Sequence, residues 1–229
     1  MRILALETST RRASVALTDD DCLVARRLHE DPFTHAERIV PLIDEAVAES
    51  GFAKSSFDVI ACGLGPGSFT GVRVALATAK GIALALDRPI VGIGSLRAMA
   101  AGIEGEPRPA LVLPVLDARK QEVFVAAYDE AGTERLAPCH IPRASFGEVI
   151  APYLQRGALV VGEVASELGL DGAVLRRDFS TDLPDAFVVA KLALVRARAA
   201  DFDSLDHLEP AYVRPPDIHQ QASHGAVRP

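Results

Sequence analysis

Short stretches at 2–7, 13–18 and 22–28 either alternate apolar with polar residues or run apolar without a break, and each predicts a strand. Over 35–50 the period lengthens. Ala36, Ile39, Val40, Leu42, Ile43, Ala46 and Val47 recur at helical spacing and cover roughly 160° of arc at about 100° per residue, so a helix is predicted there. The apolar run at 58–63 predicts a buried strand that leads through a glycine-rich loop into a helix at 69–87. A strand at 89–93 and a helix at 95–103 follow. Gly102 to Pro109, rich in Gly, Pro and Glu, reads as a linker. The pattern then restarts, with strands at 110–117, 122–128 and 133–141, a helix at 144–155, a strand at 158–162, a short helix near 164–169, a strand at 173–177, a helix at 185–200 and a terminal strand at 209–213.

Both halves thus run strand-strand-strand-helix-strand, which predicts an α/β fold built from a duplicated lobe. A gapless offset of 110 residues places Glu7 on Asp117, Val15 on Val125 and Asp19 on Asp129. The expected boundaries are an N-terminal lobe at 1–105 and a C-terminal lobe at 106–217 whose last helix can pack back on the first. A polar tail at 218–229 is expected to be disordered.

The two helices of the first half are richer in apolar residues than one sheet face requires. In the helix at 69–87, Arg73, Lys80 and Asp87 line one narrow edge, and nearly every other position is apolar or small. Such a helix must be covered on two sides, by its own chain or by a partner, and the pattern leaves both open. In the first helix, Pro41 falls on the polar side with Glu37, Arg38, Asp44, Glu45 and Glu49, where water can serve the carbonyl that Pro41 leaves unpaired. Thr34-His35-Ala36-Glu37 reads as a capping box.

The loop Gly63-Leu64-Gly65-Pro66-Gly67-Ser68 places glycines before a helix start that Ser68 is set to cap. A helix N-terminus behind such a loop can bind phosphate. This loop, however, lacks both a Gly-Lys-Ser/Thr ending and the G-x-G-x-x-G spacing, which favours a tight structural turn. Glu7, Thr8 and Ser9 occupy the first strand-to-strand turn, and Asp117 the equivalent turn of the second half. Facing each other across a cleft, two carboxylates would bind Mg²⁺ or act as acid and base. The bland reading is that these are turn residues. No two histidines have ligand spacing, and no G-x-S-x-G elbow or Ser/His/Asp set is present, so neither a metal site nor a nucleophile is expected.

At 229 residues and net charge −7 the chain is a poor stand-alone binder of nucleic acid, whose affinity comes largely from phosphate neutralisation. Cys22, Cys62 and Cys139 are far apart, with no C-x-x-C, which fits a reducing cytosol. The start of the chain carries no signal-peptide pattern. The stretch Val72 to Leu86 is interrupted by Arg73 and Lys80 and reads as too short to span a membrane comfortably. A cytoplasmic protein is expected.

The run GLGPGSFTGVRVALATAKGIA, residues 63–83, resembles the signature of the TsaB (YeaZ) family, bacterial relatives of the TsaD threonylcarbamoyltransferase. Further anchors are Met1 to Thr10, Leu116-Asp117-Ala118-Arg119 with Glu122-Val123, and Glu209 to Arg214, so the resemblance spans nearly the whole chain. It implies the two-lobe fold of the actin, sugar-kinase and heat-shock-chaperone ATPases. In that superfamily the first turn faces nucleotide phosphates and metal. Glu7, Thr8, Ser9, Gly65, Gly67, Ser68 and Asp117 would then be degenerate cleft loops, with Glu7 standing where many family members have Asp. TsaD-type enzymes carry two metal-binding histidines on a helix whose counterpart here places Ser95 and Met99 at those positions. Val161-Gly162-Glu163-Val164 is only a remnant of an adenosine loop.

The resemblance therefore implies a subunit without catalytic residues, metal or cofactor of its own, ATP and metal being used by partner subunits. It would support TsaD in N6-threonylcarbamoylation of adenosine 37 in tRNAs reading ANN codons. The implied contact with TsaD is a four-helix one, through His35, Ile39, Leu42, Ile43 and Ala46 of the first helix and Val72, Ala75, Leu76, Ala79, Ile82 and Ala83 of the second. A homodimer through the same helices, engagement by the ATPase TsaE, and tRNA contact only through the complex are further implications. The alternatives are an ATP-dependent small-molecule kinase or hydrolase using Glu7 and Asp117, and a purely self-associating protein.

Overall fold

The computed structural model describes residues 1–103, 109–170, 174–176 and 183–213. The alternating N-terminal stretches form an antiparallel unit of β1 (Arg2–Glu7), β2 (Ala13–Asp19) and β3 (Cys22–His29), with Leu6 opposite Val15 and Val15 opposite Arg27. β4 (Val59–Gly63) and β5 (Ile90–Ile93) add in parallel, giving the order β3-β2-β1-β4-β5. Parallel neighbours need crossovers, and α1 (His35–Ser50) and α2 (Phe69–Leu86) supply them. The two helices pack against each other on one face of the sheet. There Leu4, Leu6, Val15 and Ile60 share a core with Ile39 and Leu42 of α1 and Ala75 and Leu76 of α2. α1 stops at Gly51, whose left-handed φ of 68° closes the helix.

The second half repeats the plan. β6 (Leu111–Arg119), β7 (Glu122–Asp129), β8 (Glu134–Pro142), β9 (Leu159–Val161) and β10 (Val174–Arg176) lie in the order β8-β7-β6-β9-β10, strand for strand that of the first sheet. The antiparallel and parallel pairings agree as well. α4 (Phe146–Leu154) is the crossover, with Phe146 and Ile150 buried against Val115 and Val125.

The halves exchange a helix. α3 (Ser95–Ala101) leaves the first sheet and packs Leu96, Met99 and Ala100 onto Val112, Leu116 and Phe124 of the second. α5 (Ala186–Arg198) returns, burying Val189, Ala190, Ala193 and Leu194 against Ile3, Ala5, Val59 and Val91 on the far face of the first sheet. β1 and β4 are therefore covered on both faces, which is why their sequences run apolar rather than alternating. Asp185 caps α5 by accepting from Phe187 N (2.9 Å), and it also pairs with Arg26.

Three local expectations are corrected. The segment 209–213 is not a strand. The edge of β5 is already occupied by Asp203, whose N–H donates to Ile90 O (3.0 Å) and whose carboxylate accepts from Gly92 N (2.7 Å). Pro210 moreover has no N–H for a ladder. The segment instead forms a strap, with Ala211 N donating to Leu64 O (2.8 Å) and Val213 O meeting His140 Nδ1 (3.2 Å). The capping box at Thr34 does not form, because the Thr34 hydroxyl bonds His29 Nε2 (2.7 Å) and the Asp31 carbonyl (3.4 Å). The short helix near 164–169 shrinks to a 3₁₀ turn at Ala165–Glu167. Residues 104–108 of the expected linker, residues 173 and 177 of the expected strand, and the tail at 218–229 lie outside the described residues.

The β6–β7 turn holds Arg119, Lys120 and Gln121 at φ of 63°, 50° and 60°. Side chains with Cβ adopt this region reluctantly, and two-residue hairpins of this kind favour Asn-Gly. Replacing Lys120 and Gln121 by Asn and Gly should raise stability by about 1 kcal/mol, read as a higher urea midpoint at unchanged slope.

Candidate functional site

The β1–β2 turn is threaded against the glycine loop. Thr8 Oγ1 donates to Gly71 O (2.6 Å) and accepts from Ala75 N (3.1 Å), bracketing the first turn of α2. Ser68 N donates to Ser9 O (2.6 Å), and Ser68 Oγ accepts from Gly71 N (3.2 Å), the expected cap. A Cβ at Gly67 or Gly71 would sit well inside contact distance of the Ser9 or Thr8 carbonyl oxygen, so these glycines let two backbones touch. Leu64 N and Gly65 N are likewise bonded, to Ile93 O (2.8 Å) and Ser95 Oγ (3.1 Å). The loop thus spends on its own chain four of the N–H groups that a phosphate would need.

Glu7 ends β1 fully buried. One carboxylate oxygen accepts from Ser9 N (2.6 Å) and the other from Ser95 Oγ (2.8 Å). Burial pushes its pKa up, the hydrogen bonds from Ser9 and Ser95 pull it part of the way back, and Asp185 adds to the rise. Of the two positions aligned with metal-binding histidines, Ser95 is therefore committed to Glu7 and Gly65, and Met99 is buried in the core of the second sheet.

A carboxyl whose folded pKa exceeds its ordinary 4.5 contributes stability that is fully present below that pH and is lost as pH rises through the folded value. Glu7→Gln keeps an acceptor for Ser9 and removes the charge. Its stability relative to wild type should therefore improve as pH rises above about 4.5 toward the raised folded pKa. Urea midpoints of both proteins across that range would check this, and a difference that is flat with pH would count against it.

Between the sheets lies a cleft of about 920 Å³. Ser9, Gly67 and Ser68 reach it from the first half and Asp117 from the second. Glu7, Thr8 and Gly65 lie behind its wall, so Glu7 and Asp117 do not face each other. Asp117 accepts from Arg119 N (3.0 Å) and Arg143 Nη2 (3.3 Å), and Arg143 also donates to Glu167 (2.7 Å). Hydrogen bonds to Glu167 and then to Asp117 push the Arg143 pKa up. Arg11 spans the cleft to Glu163 (3.2 Å). At the mouth, Arg73 donates to Tyr212 Oη (2.8 and 2.9 Å) and lies 3.6 Å over the Phe69 ring. The sequence reading missed these arginines and Tyr212, and the Arg-Lys of the second hairpin turn was the available signal. Among the described residues, no three His, Cys, Asp or Glu side chains are grouped to hold a metal. The three cysteines are free.

The outer surface of α1 and α2 is the second candidate, and the residues expected to form it are corrected. His35, Ile39, Leu42, Ile43, Ala46, Val72, Ala75, Leu76, Ala79 and Ala83 are buried in the chain's own core, and only Ile82 is half-exposed. Ala75, Ala79 and Ala83 of α2 face the core of the first sheet, where small side chains permit close packing. His35 bonds the Thr10 carbonyl through Nε2 (2.9 Å) and ties α1 to the β1–β2 turn.

The side of α2 turned outward is nevertheless largely apolar, with Thr70 and Arg73 as its polar residues near the N-terminal end. Only a third of the helix is buried. Leu84 is 71 % exposed and Phe69 52 %, with Ala77 and Gly81 exposed between them, and Val40 of α1 is 54 % exposed. By length and composition α2 could cross a membrane, but its inner face is packed on the first sheet. A single exposed leucine is ordinary, whereas a continuous apolar stripe marks an interaction surface. At Gly81 a Cβ would meet nothing within 4 Å. A glycine inside a helix costs roughly 0.5–1 kcal/mol relative to alanine, and no contact among the described residues offsets it.

A family model described as TsaD, tRNA N6-adenosine threonylcarbamoyltransferase, matches residues 33–209. The chain is 32 % identical over 222 residues to the tRNA threonylcarbamoyladenosine biosynthesis protein TsaB of Escherichia coli K12, covering 93 % of this chain and 95 % of that protein. It resembles the solved structure of YeaZ from Pseudomonas aeruginosa with a TM-score of 0.79 at 29 % identity, over 92 % of this chain and 99 % of that one. The ethanolamine utilization protein EutJ from Carboxydothermus hydrogenoformans shares the fold alone, with a TM-score of 0.52 at 13 % identity over 83 % of this chain and 90 % of that one. The two-lobe architecture is that of the actin, sugar-kinase and heat-shock-chaperone ATPases. With near full-length similarity and the glycine-loop and α2 sequence in place, the chain belongs to the TsaB (YeaZ) family of tRNA threonylcarbamoyladenosine biosynthesis proteins.

Proposed function

We propose that this protein is the non-catalytic subunit that binds and supports TsaD while TsaD carries out N6-threonylcarbamoylation of adenosine 37 in ANN-reading tRNAs. The observation that carries the reading is the outward, largely apolar stripe of α2 beside α1, a surface that nothing among the described residues covers. It is supported by the internal commitment of Glu7, Ser95 and four glycine-loop N–H groups, which uses within the chain most of what this turn would offer a phosphate. The name of the Escherichia coli relative supplies the pathway. In this reading TsaE engages the TsaD pair, tRNA is met through the complex in the cytoplasm, and ATP and metal are used by the partner subunits. Without TsaD, two copies pair through the same helices. The kinase or hydrolase alternative needs Glu7 at the cleft, and Glu7 lies behind its wall.

A drop-out reconstitution tests the proposal. A TsaC-type synthase, TsaD, TsaE, tRNA, threonine, bicarbonate and ATP are combined with and without this protein, and the modified nucleoside is counted. Product is expected only when the protein is present. Equal product without it would refute the role.

A further inference from the structure

We infer that Gly81 is the crossing point at which a helix of the partner lies directly on α2. This rests on the reading of the α2 face as the TsaD contact and adds the geometry of that contact.

The two glycines of α2 stand there for different reasons. Gly71 is required by the chain itself, because a Cβ would collide with the Thr8 carbonyl. Gly81 meets no such neighbour, has no left-handed φ and sits inside an unbroken helix. Alanine would favour the helix more, so nothing among the described residues gives a reason for glycine here. Its position supplies one. Ala77, Gly81 and Leu84 fall at i, i+4 and i+7 on the exposed side, and Phe69 and Arg73 continue the same stripe toward the cleft mouth. A glycine flanked by alanine and leucine makes a notch into which another helix can seat at short interaxial distance.

The occupant follows from the family model. The match to TsaD spans residues 33–209, and α1 and α2 lie within it. A TsaD partner therefore carries counterparts of both helices. Two similar chains that pair through the same elements make a two-fold-like contact, which sets α2 against its counterpart, helix on helix. The chemistry expected of the partner at the crossing is an apolar helix with a small residue at its centre.

The test compares Gly81→Ala with Gly147→Ala, a glycine of α4 that is equally open and lies away from α2. Denaturation of the isolated chains and calorimetric titration with purified TsaD are read side by side. Both substitutions should raise the denaturation midpoint, while only Gly81→Ala weakens TsaD binding, by tenfold or more. If Gly81→Ala binds as tightly as wild type although Leu84→Glu does not bind, the face is right and the close crossing is wrong. If Leu84→Glu also binds normally, the α2 face itself is refuted, and if wild type fails to bind TsaD, the proposed function falls. If Gly81→Ala weakens only self-association in sedimentation equilibrium, the occupant is a second copy and the inference is overturned.

Discussion

Replacing Leu84 by glutamate is expected to leave the fold intact and to weaken TsaD binding at least a hundredfold. Leu84 is 71 % exposed, so the chain loses almost no packing of its own, and such surface changes usually fall within about 0.5 kcal/mol. In the proposed complex the new carboxylate would be stripped of water against an apolar partner helix, a cost that Lys80 and Arg88, one turn away on either side, offset only in part. A hundredfold loss is about 2.7 kcal/mol, within the range of an interface hot spot. Titration calorimetry against TsaD, with a thermal melt as control, decides the matter. Normal affinity would show that the outward stripe is not the contact. The same change at Ala79 would be uninformative, because Ala79 is fully buried and a charge there unfolds the chain before any partner is lost.

The largest effect on folding is expected at Gly71. Its alanine variant puts a methyl group against the Thr8 carbonyl, and neither side can retreat. Thr8 is buried and holds α2 through two hydrogen bonds, and Ser68 fixes Gly71 N. The cost should be about 3 kcal/mol, or roughly 6–12 °C in Tm for a chain of this size. A calorimetric melt within 2 °C of wild type would contradict this account. Two glycines of one helix would then move stability in opposite directions when changed to alanine, Gly71 down and Gly81 up.

Most of the architecture was legible because periodicity records burial. α1 begins at His35 and ends at Ser50 as its pattern predicts, and the matching order of elements in the two halves returns as two sheets of identical strand order. The inward side of α2 was not legible. Its wheel is apolar almost all round and Arg73, Lys80 and Asp87 mark only a narrow edge, so it is the sheet that shows Ala75 and Ala79 pointing in while Ala77 and Leu84 point out. Glu7 misled for a related reason. A carboxylate is expected at water, yet here it closes a strand that is apolar from Ile3 to Leu6 and is satisfied in place by Ser9 N and Ser95 Oγ. Thr34 was mispredicted because its competitor, His29, comes from the preceding strand and meets it only through the turn. For the strap, Pro210 was a sufficient warning against a strand.

The exchange of α3 and α5 between the halves imposes an order in time on synthesis. By the time Ile93 has left the ribosome, the first sheet can assemble and cover one face with α1 and α2. Its other face, with Ile3, Ala5, Val59 and Val91, must wait for Ala186–Arg198. At about 5–20 residues per second, the roughly 100 intervening residues leave that apolar face open to solvent for about 5–20 seconds. A message truncated before α5 would leave that apolar face uncovered, and the fragment is expected to aggregate instead of serving as half of a working protein.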